Sequence, residues 1–212
     1  MNDKYKPGWK TVWSIYPKEN IGGNFWRPLI LLVISVGCSI CSSKSSTELI
    51  GVVSNWITSG FPSIIGFILS GYVLIVGFSG SDFLLNLAKP TEAKYTLFQV
   101  LNSTFAVVIA VMIVTYAIGA LMGFVVSCGI EWPLPTNYGC DAFNFMALVF
   151  IEFIFFYSIN TLLDVIINIF NMGQMANVIA EQKLEAIEKA DKNENKREES
   201  FILKLIKYIL GI

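Results

Sequence analysis

"LVFIEFIFFYSINTLLDVIINIF", residues 148–170, sets two carboxylic acids, Glu152 and Asp164, within a run of aliphatic and aromatic side chains. Such a run suits a soluble core or a lipid bilayer, and the rest of the chain decides between them. Of 212 residues, 54% are hydrophobic and 15% charged, and the mean hydropathy is +0.61. Soluble domains carry about 25% charged residues, so this balance lies far from the globular norm. Apolar runs of roughly 18 residues or more, enough to cross about 30 Å of hydrocarbon, recur along the chain. The sequence reads as an all-α integral membrane protein.

Four spans are expected. The first, about 26–42, "WRPLILLVISVGCSICS", is short and opens with Pro28 in its first turn, where a missing N–H costs nothing. The second, about 61–81, carries Pro62 just inside its start. The third, about 97–127, and the fourth, about 142–171, are longer than a bilayer core needs at about 1.5 Å per residue. Between the first two spans, "STELIGVVSNWITSG" (46–60) reads as a short amphipathic helix on the outer surface. Residues 1–25 are dense in Trp, Tyr and Lys, which favour the headgroup layer and the anionic inner leaflet. They read as a cytoplasmic interfacial segment. A secretory signal sets its apolar stretch close behind a short basic start and ends in a small-residue cleavage site; here polar and aromatic residues 1–25 precede the run and no A-x-A pattern follows it, so it is expected to be retained.

Charge fixes the orientation. Lys4, Lys6, Lys10, Lys18 and Arg27 precede or open the first span, Lys89 and Lys94 lie between spans two and three, and seven more follow the fourth. Fourteen of the fifteen Lys and Arg thus fall on one side, against Lys44 on the other. The positive-inside rule places both termini in the cytoplasm. Cys128 and Cys140 then flank an outward loop, "GIEWPLPTNYG", where a disulfide can form; two unpaired thiols at helix ends are the alternative. Cys38 and Cys41 form a C-x-x-C inside a span and read as small packing residues. The chain has no histidine, so neither a zinc site nor another metal site is expected, and no cofactor is called for.

Residues 172–212 change character. "AEQKLEAIEKADKNENKREES" (180–200) consists of strong helix formers with Glu185–Lys189 and Glu188–Lys192 pairs, a solvated helix expected to loosen near Asn193–Asn195. Acids balance bases, so no direct nucleic-acid contact is expected. "FILKLIKYILGI" (201–212) reads as a separate amphipathic helix, Phe201 and Leu205 apolar and Lys204 and Lys207 on one side, that meets the inner leaflet or a partner groove.

Within the spans, Gly119 and Gly123 form a G-x-x-x-G, and Gly66–Ser70 has the same spacing. Small residues four apart let helices approach closely, within one chain or between chains. In the fourth span, Tyr157, Asn160, Asp164, Asn168 and Asn171 cluster within about 80° of arc, with Glu152 roughly 80° away and near mid-membrane. A carboxylate there costs at least a few kcal/mol, so it should face protein or water. The stripe can line an oligomer axis, carry interhelical hydrogen bonds, or sit wet at the cytoplasmic interface. For Glu152 the reading leans towards a functional or gating position.

Without histidine, and without a phosphate-cradling glycine loop, the chain is read as non-enzymatic. About 200 residues, four spans, both termini inside and a helical cytoplasmic tail resemble the membrane subunit of the bacterial Kiwa anti-phage defence system (KwaA-like). The resemblance is one of architecture along the whole chain. It implies a homotetramer in the bacterial inner membrane that senses infection at the envelope together with a soluble, KwaB-like DNA-binding partner. The expected function is therefore an oligomeric sensor or scaffold that recruits a cytoplasmic effector. The alternative is a pore-forming homo-oligomer with the fourth helix lining a polar axis.

Overall fold

The computed structural model describes residues 8–17, 25–78, 95–129 and 137–210; the side chains of 78, 137–140, 190, 191 and 193–210 lie outside the description. Among the described residues there are five helices and no strand: α1 (Trp9–Ile15), α2 (Trp26–Ile40), α3 (Ser46–Phe78), α4 (Leu97–Ser127) and α5 (Asn137–Leu210). Helices α3, α4 and α5 are each long and apolar enough to cross a membrane. At 15 residues, or about 22 Å, α2 is shorter than a bilayer core. The chain divides into two compact units, Met1–Asn168 and Ile169–Ile212.

Two helix starts are fixed by side chains that satisfy orphan backbone donors. Ser45 and Glu48 exchange bonds, Ser45 N–H donating to Glu48 Oε2 at 2.9 Å and Glu48 N–H to Ser45 Oγ at 3.3 Å. Thr96 and Gln99 repeat the arrangement at the start of α4, at 3.0 and 3.3 Å. The first of these boxes explains a difference from expectation. Residues 46–60 and the described part of the second span form one 33-residue helix rather than a surface helix and a separate span. Pro62 accordingly lies inside α3, not in its first turn. Proline removes one hydrogen-bond rung. Just upstream of it, Thr58 and Ser59 hydroxyls donate to the Ser54 and Asn55 carbonyls at 2.9 and 2.6 Å, as polar side chains do in apolar helices.

In the first unit α3, α4 and the start of α5 make an alternating three-helix bundle. Antiparallel α3 and α4 are in register from Gly51 beside Val126, through Ser54 beside Gly123 and Ile57 beside Gly119, to Tyr72 Oη donating to Asn102 Oδ1 at 2.8 Å. Parallel α3 and α5 meet at Thr47 and Asn144 (3.3 Å) and again where Phe155 packs on Trp56 and Phe61, ring centroids 6.4 and 5.9 Å apart. Ile57, Phe61, Val108, Met112, Leu148 and Ile151 are buried between them. The G-x-x-x-G is therefore an intrachain contact. Gly66 has nothing within 4 Å of a built Cβ and Ser70 is exposed, so that pair makes no close packing within the chain.

Helix α2 lies across this bundle. Phe25, just before it, packs on Phe153 with centroids 5.4 Å apart, and Ser39, in its last turn, reaches Glu152. Those two ends are separated by about 21 Å of helical rise, yet they meet adjacent residues of α5. Only a steep crossing allows this. Cys38 and Cys41 are both exposed, so they make no close packing within the described chain. Their helix presents Ser35 and Ser39 to α5 instead.

In the second unit the helix continues through Asn193–Asn195 and through the terminal segment to Leu210, so neither the expected loosening nor a separate terminal helix is present. The reason is compositional. Between Gly173 and Gly211 there is neither Gly nor Pro, and Glu, Lys, Ala and Leu dominate.

Candidate functional site

The polar residues of α5 line a seam inside the first unit. Leu148, Ile151 and Val165 place one face of the helix in the core, and the polar positions adjoining that face are buried with it. Glu152 and Asn160 are each only 4% exposed. Tyr157, Asp164 and Asn168 are half-buried, and Asn171 is exposed in the second unit. The stripe read as one surface is thus graded from buried to wet.

Glu152 is the least satisfied member. Ser39 Oγ donates to its Oε1 at 3.3 Å, and Ser35, one turn earlier on α2, adds a second hydroxyl within electrostatic reach. Its Oε2 is buried without a hydrogen-bond partner. The other such oxygen among the described residues is Ser54 Oγ. An α3–α5 register bracketed by Thr47–Asn144 and Trp56–Phe155 puts Ser54 and Glu152 at the same height. Among the described residues no Lys or Arg pairs with Glu152, and no group of three or more His, Cys, Asp and Glu could hold a metal ion.

A second link crosses from α4 to α5, where Thr115 Oγ1 and Ser158 Oγ are 2.6 Å apart and buried. Ser158 also donates to the Ile154 carbonyl at 2.8 Å. A hydroxyl has one hydrogen, so Thr115 must be the donor to Ser158. Thr161, one turn on, donates to the Ser158 carbonyl at 2.8 Å and is buried as well. Beside this link an apolar cavity of about 240 Å³ opens between α1, α4 and α5, lined by Trp13, Ala110, Val114, Ile118, Ile154 and Tyr157.

The N-terminal segment joins the seam through Tyr16. Its ring packs edge-on against Trp13, centroids 6.1 Å apart, and is 4% exposed. Burial, then the negative charge of Asp164 and of Tyr157, pushes the Tyr16 phenol up to about 12. α1 therefore docks on α4 with one aromatic residue inside the protein, more than a segment resting on the headgroups would require.

Sequence reading singled out Glu152 and the asparagines but missed Ser35, Ser39, Thr115, Ser158 and Tyr16. Lone hydroxyls in apolar helices commonly bond their own backbone, as Ser70 does to Gly66 O at 2.9 Å, so they carry little signal. The Cys128–Cys140 pair, and Phe201, Lys204, Leu205 and Lys207, involve side chains outside the described residues. The chain matches no protein-family model, no curated protein and no solved structure.

Proposed function

We propose that this chain is a multi-pass inner-membrane protein, crossed by α3, α4 and α5 with its C-terminal tail cytoplasmic, which oligomerises and recruits or regulates a soluble effector through residues 172–212. The observation that carries the reading is the surface of the second unit. From Gly173 to Lys189 every residue except Ile179 is exposed, including Leu184 and Ile187 one turn apart among Glu and Lys. Apolar side chains presented on a charged helix are what a helix-in-groove partner grips. The charge asymmetry supports the cytoplasmic placement. The architectural resemblance to the Kiwa membrane subunit names an anti-phage sensor, a homotetramer and a KwaB-like partner as the specific form of this proposal.

The competing form is a pore lined by α5. Burial of Glu152 and Asn160 inside one chain favours the scaffold, because a pore needs its polar side chains on an interchain axis. Crosslinking mass spectrometry on native membranes tests the choice. Crosslinks from 180–212 to one soluble protein are expected, and deleting 180–212 should abolish them while insertion and self-association persist. Self-crosslinks alone, clustered along α5, would transfer the case to the pore.

A further inference from the structure

We propose that Glu152 and the last turn of α2 form a binding site for a monovalent alkali cation of the Na⁺ type, a property separate from the recruitment of any effector.

Three observations converge on it. Glu152 is 4% exposed, yet its Oε2 has no partner and Ser39 engages Oε1 only at 3.3 Å. The carboxyl faces the C-terminal turn of α2, where Ser39 stands one residue before the last helical position. The carbonyl end of a helix bears roughly half a negative charge, so a carboxylate there meets charge of its own sign. An ionised acid buried beside such a helix end is stabilised by a cation bound next to it, and without one the carboxyl takes up a proton. Among the described residues no Lys or Arg supplies the positive charge.

The donor set specifies what does. One carboxylate with the neutral hydroxyls of Ser39 and Ser35 offers hard oxygen ligands and a single negative charge. Hard oxygen donors select alkali and alkaline-earth ions over thiophilic metals. One charge compensated by one charge leaves the site neutral in its apolar surroundings, whereas a divalent ion would leave a net positive charge in hydrocarbon. On binding, Ser39 turns its hydroxyl so that a lone pair, rather than its hydrogen, meets the ion. The cation and a proton compete for the same carboxyl.

That competition provides the test. The full-length protein in lipid nanodiscs is treated with dicyclohexylcarbodiimide, which attacks protonated carboxyls in apolar settings, and the Glu152 adduct is quantified by mass spectrometry. Salt is held at constant ionic strength as NaCl, LiCl, KCl or choline chloride. NaCl should suppress the adduct at least fivefold relative to choline chloride, and Ser39→Ala should raise the NaCl concentration needed about tenfold. Glu152→Gln should remove the adduct, which identifies the labelled residue; because the wild type carries the comparison, a misfolded variant does not compromise it. Equal labelling in all four salts would overturn the proposal, and so would the absence of any Glu152 adduct.

Discussion

Alanine at Gly119 tests whether the G-x-x-x-G holds this chain together or joins it to a second copy. A Cβ built at Gly119 stands 2.7 Å from Ile57 Cγ2, 3.0 Å from its Cβ and 3.2 Å from its Cδ1. Carbon atoms rest at about 3.5–4.0 Å, so Ile57 has to retreat by roughly 1 Å. It has nowhere to go, being 0% exposed and, as a β-branched residue, confined to few rotamers. Overpacking of this kind costs about 1–3 kcal/mol, and the better helix propensity of Ala returns about 0.5–1; with Ile57 unable to move, the upper part of that range applies and the net loss is about 1–2.5 kcal/mol. At Gly123 the built Cβ is 3.3 Å from Ser54 Cβ, a mild contact, and Gly123→Ala should be near neutral. At Gly66 nothing lies within 4 Å, and Gly66→Ala should lose no stability. Reversible unfolding in mixed micelles of increasing SDS fraction ranks the three. Size-exclusion with light scattering reports self-association on the same samples. Gly119→Ala as stable as wild type would refute the intrachain packing. Gly66→Ala that keeps its unfolding midpoint but loses the oligomer would assign the Gly66–Ser70 face to contact between copies.

Two further outcomes follow from the seam. Thr115→Val and Ser158→Ala, combined in a double-mutant cycle in the same unfolding assay, should couple by about 0.6 kcal/mol, the usual worth of an interhelical hydrogen bond in hydrocarbon; strictly additive losses would deny the bond. Tyr16 should ionise near pH 12 in the folded protein. Its phenol is held in the protonated form by the fold, so the stability it contributes is complete below pH 10 and is lost as pH rises towards 12. Tyrosinate absorbance at 295 nm should show a late-titrating component that Tyr16→Phe diminishes by one residue's amplitude; a variant whose titration matches wild type throughout would contradict the burial of that ring.

The helical, membrane-type character of the fold was legible because hydropathy is summed over windows of about 20 residues and survives local error. The bounds of α4, Leu97–Ser127, coincide with the expected third span because Thr96 and Cys128 sit where apolar sequence begins and ends. The extent of α3 was not legible from hydropathy. Polar residues at 54, 55, 58 and 59 interrupt the run, yet the Thr58 and Ser59 hydroxyls bond back to the helix's own carbonyls, and the signal that could have corrected the reading was the Ser45-x-x-Glu48 box. The same holds for the site. Glu152 stands out in any apolar run, but the partners that give it meaning are two serines on a different helix. Which helix they would meet depends on α2 crossing α5 steeply, and periodicity describes a helix about its own axis only.

That crossing has a mechanical consequence. Two helices packed lengthwise share contacts spread over many turns, and drawing one past the other breaks them in succession. α2 touches α5 through Phe25–Phe153 and Ser39–Glu152, both at a single depth of the long helix. A shift of α5 along its axis by one turn strains both ends of α2 together, so the attachment lets go as a unit rather than unzipping.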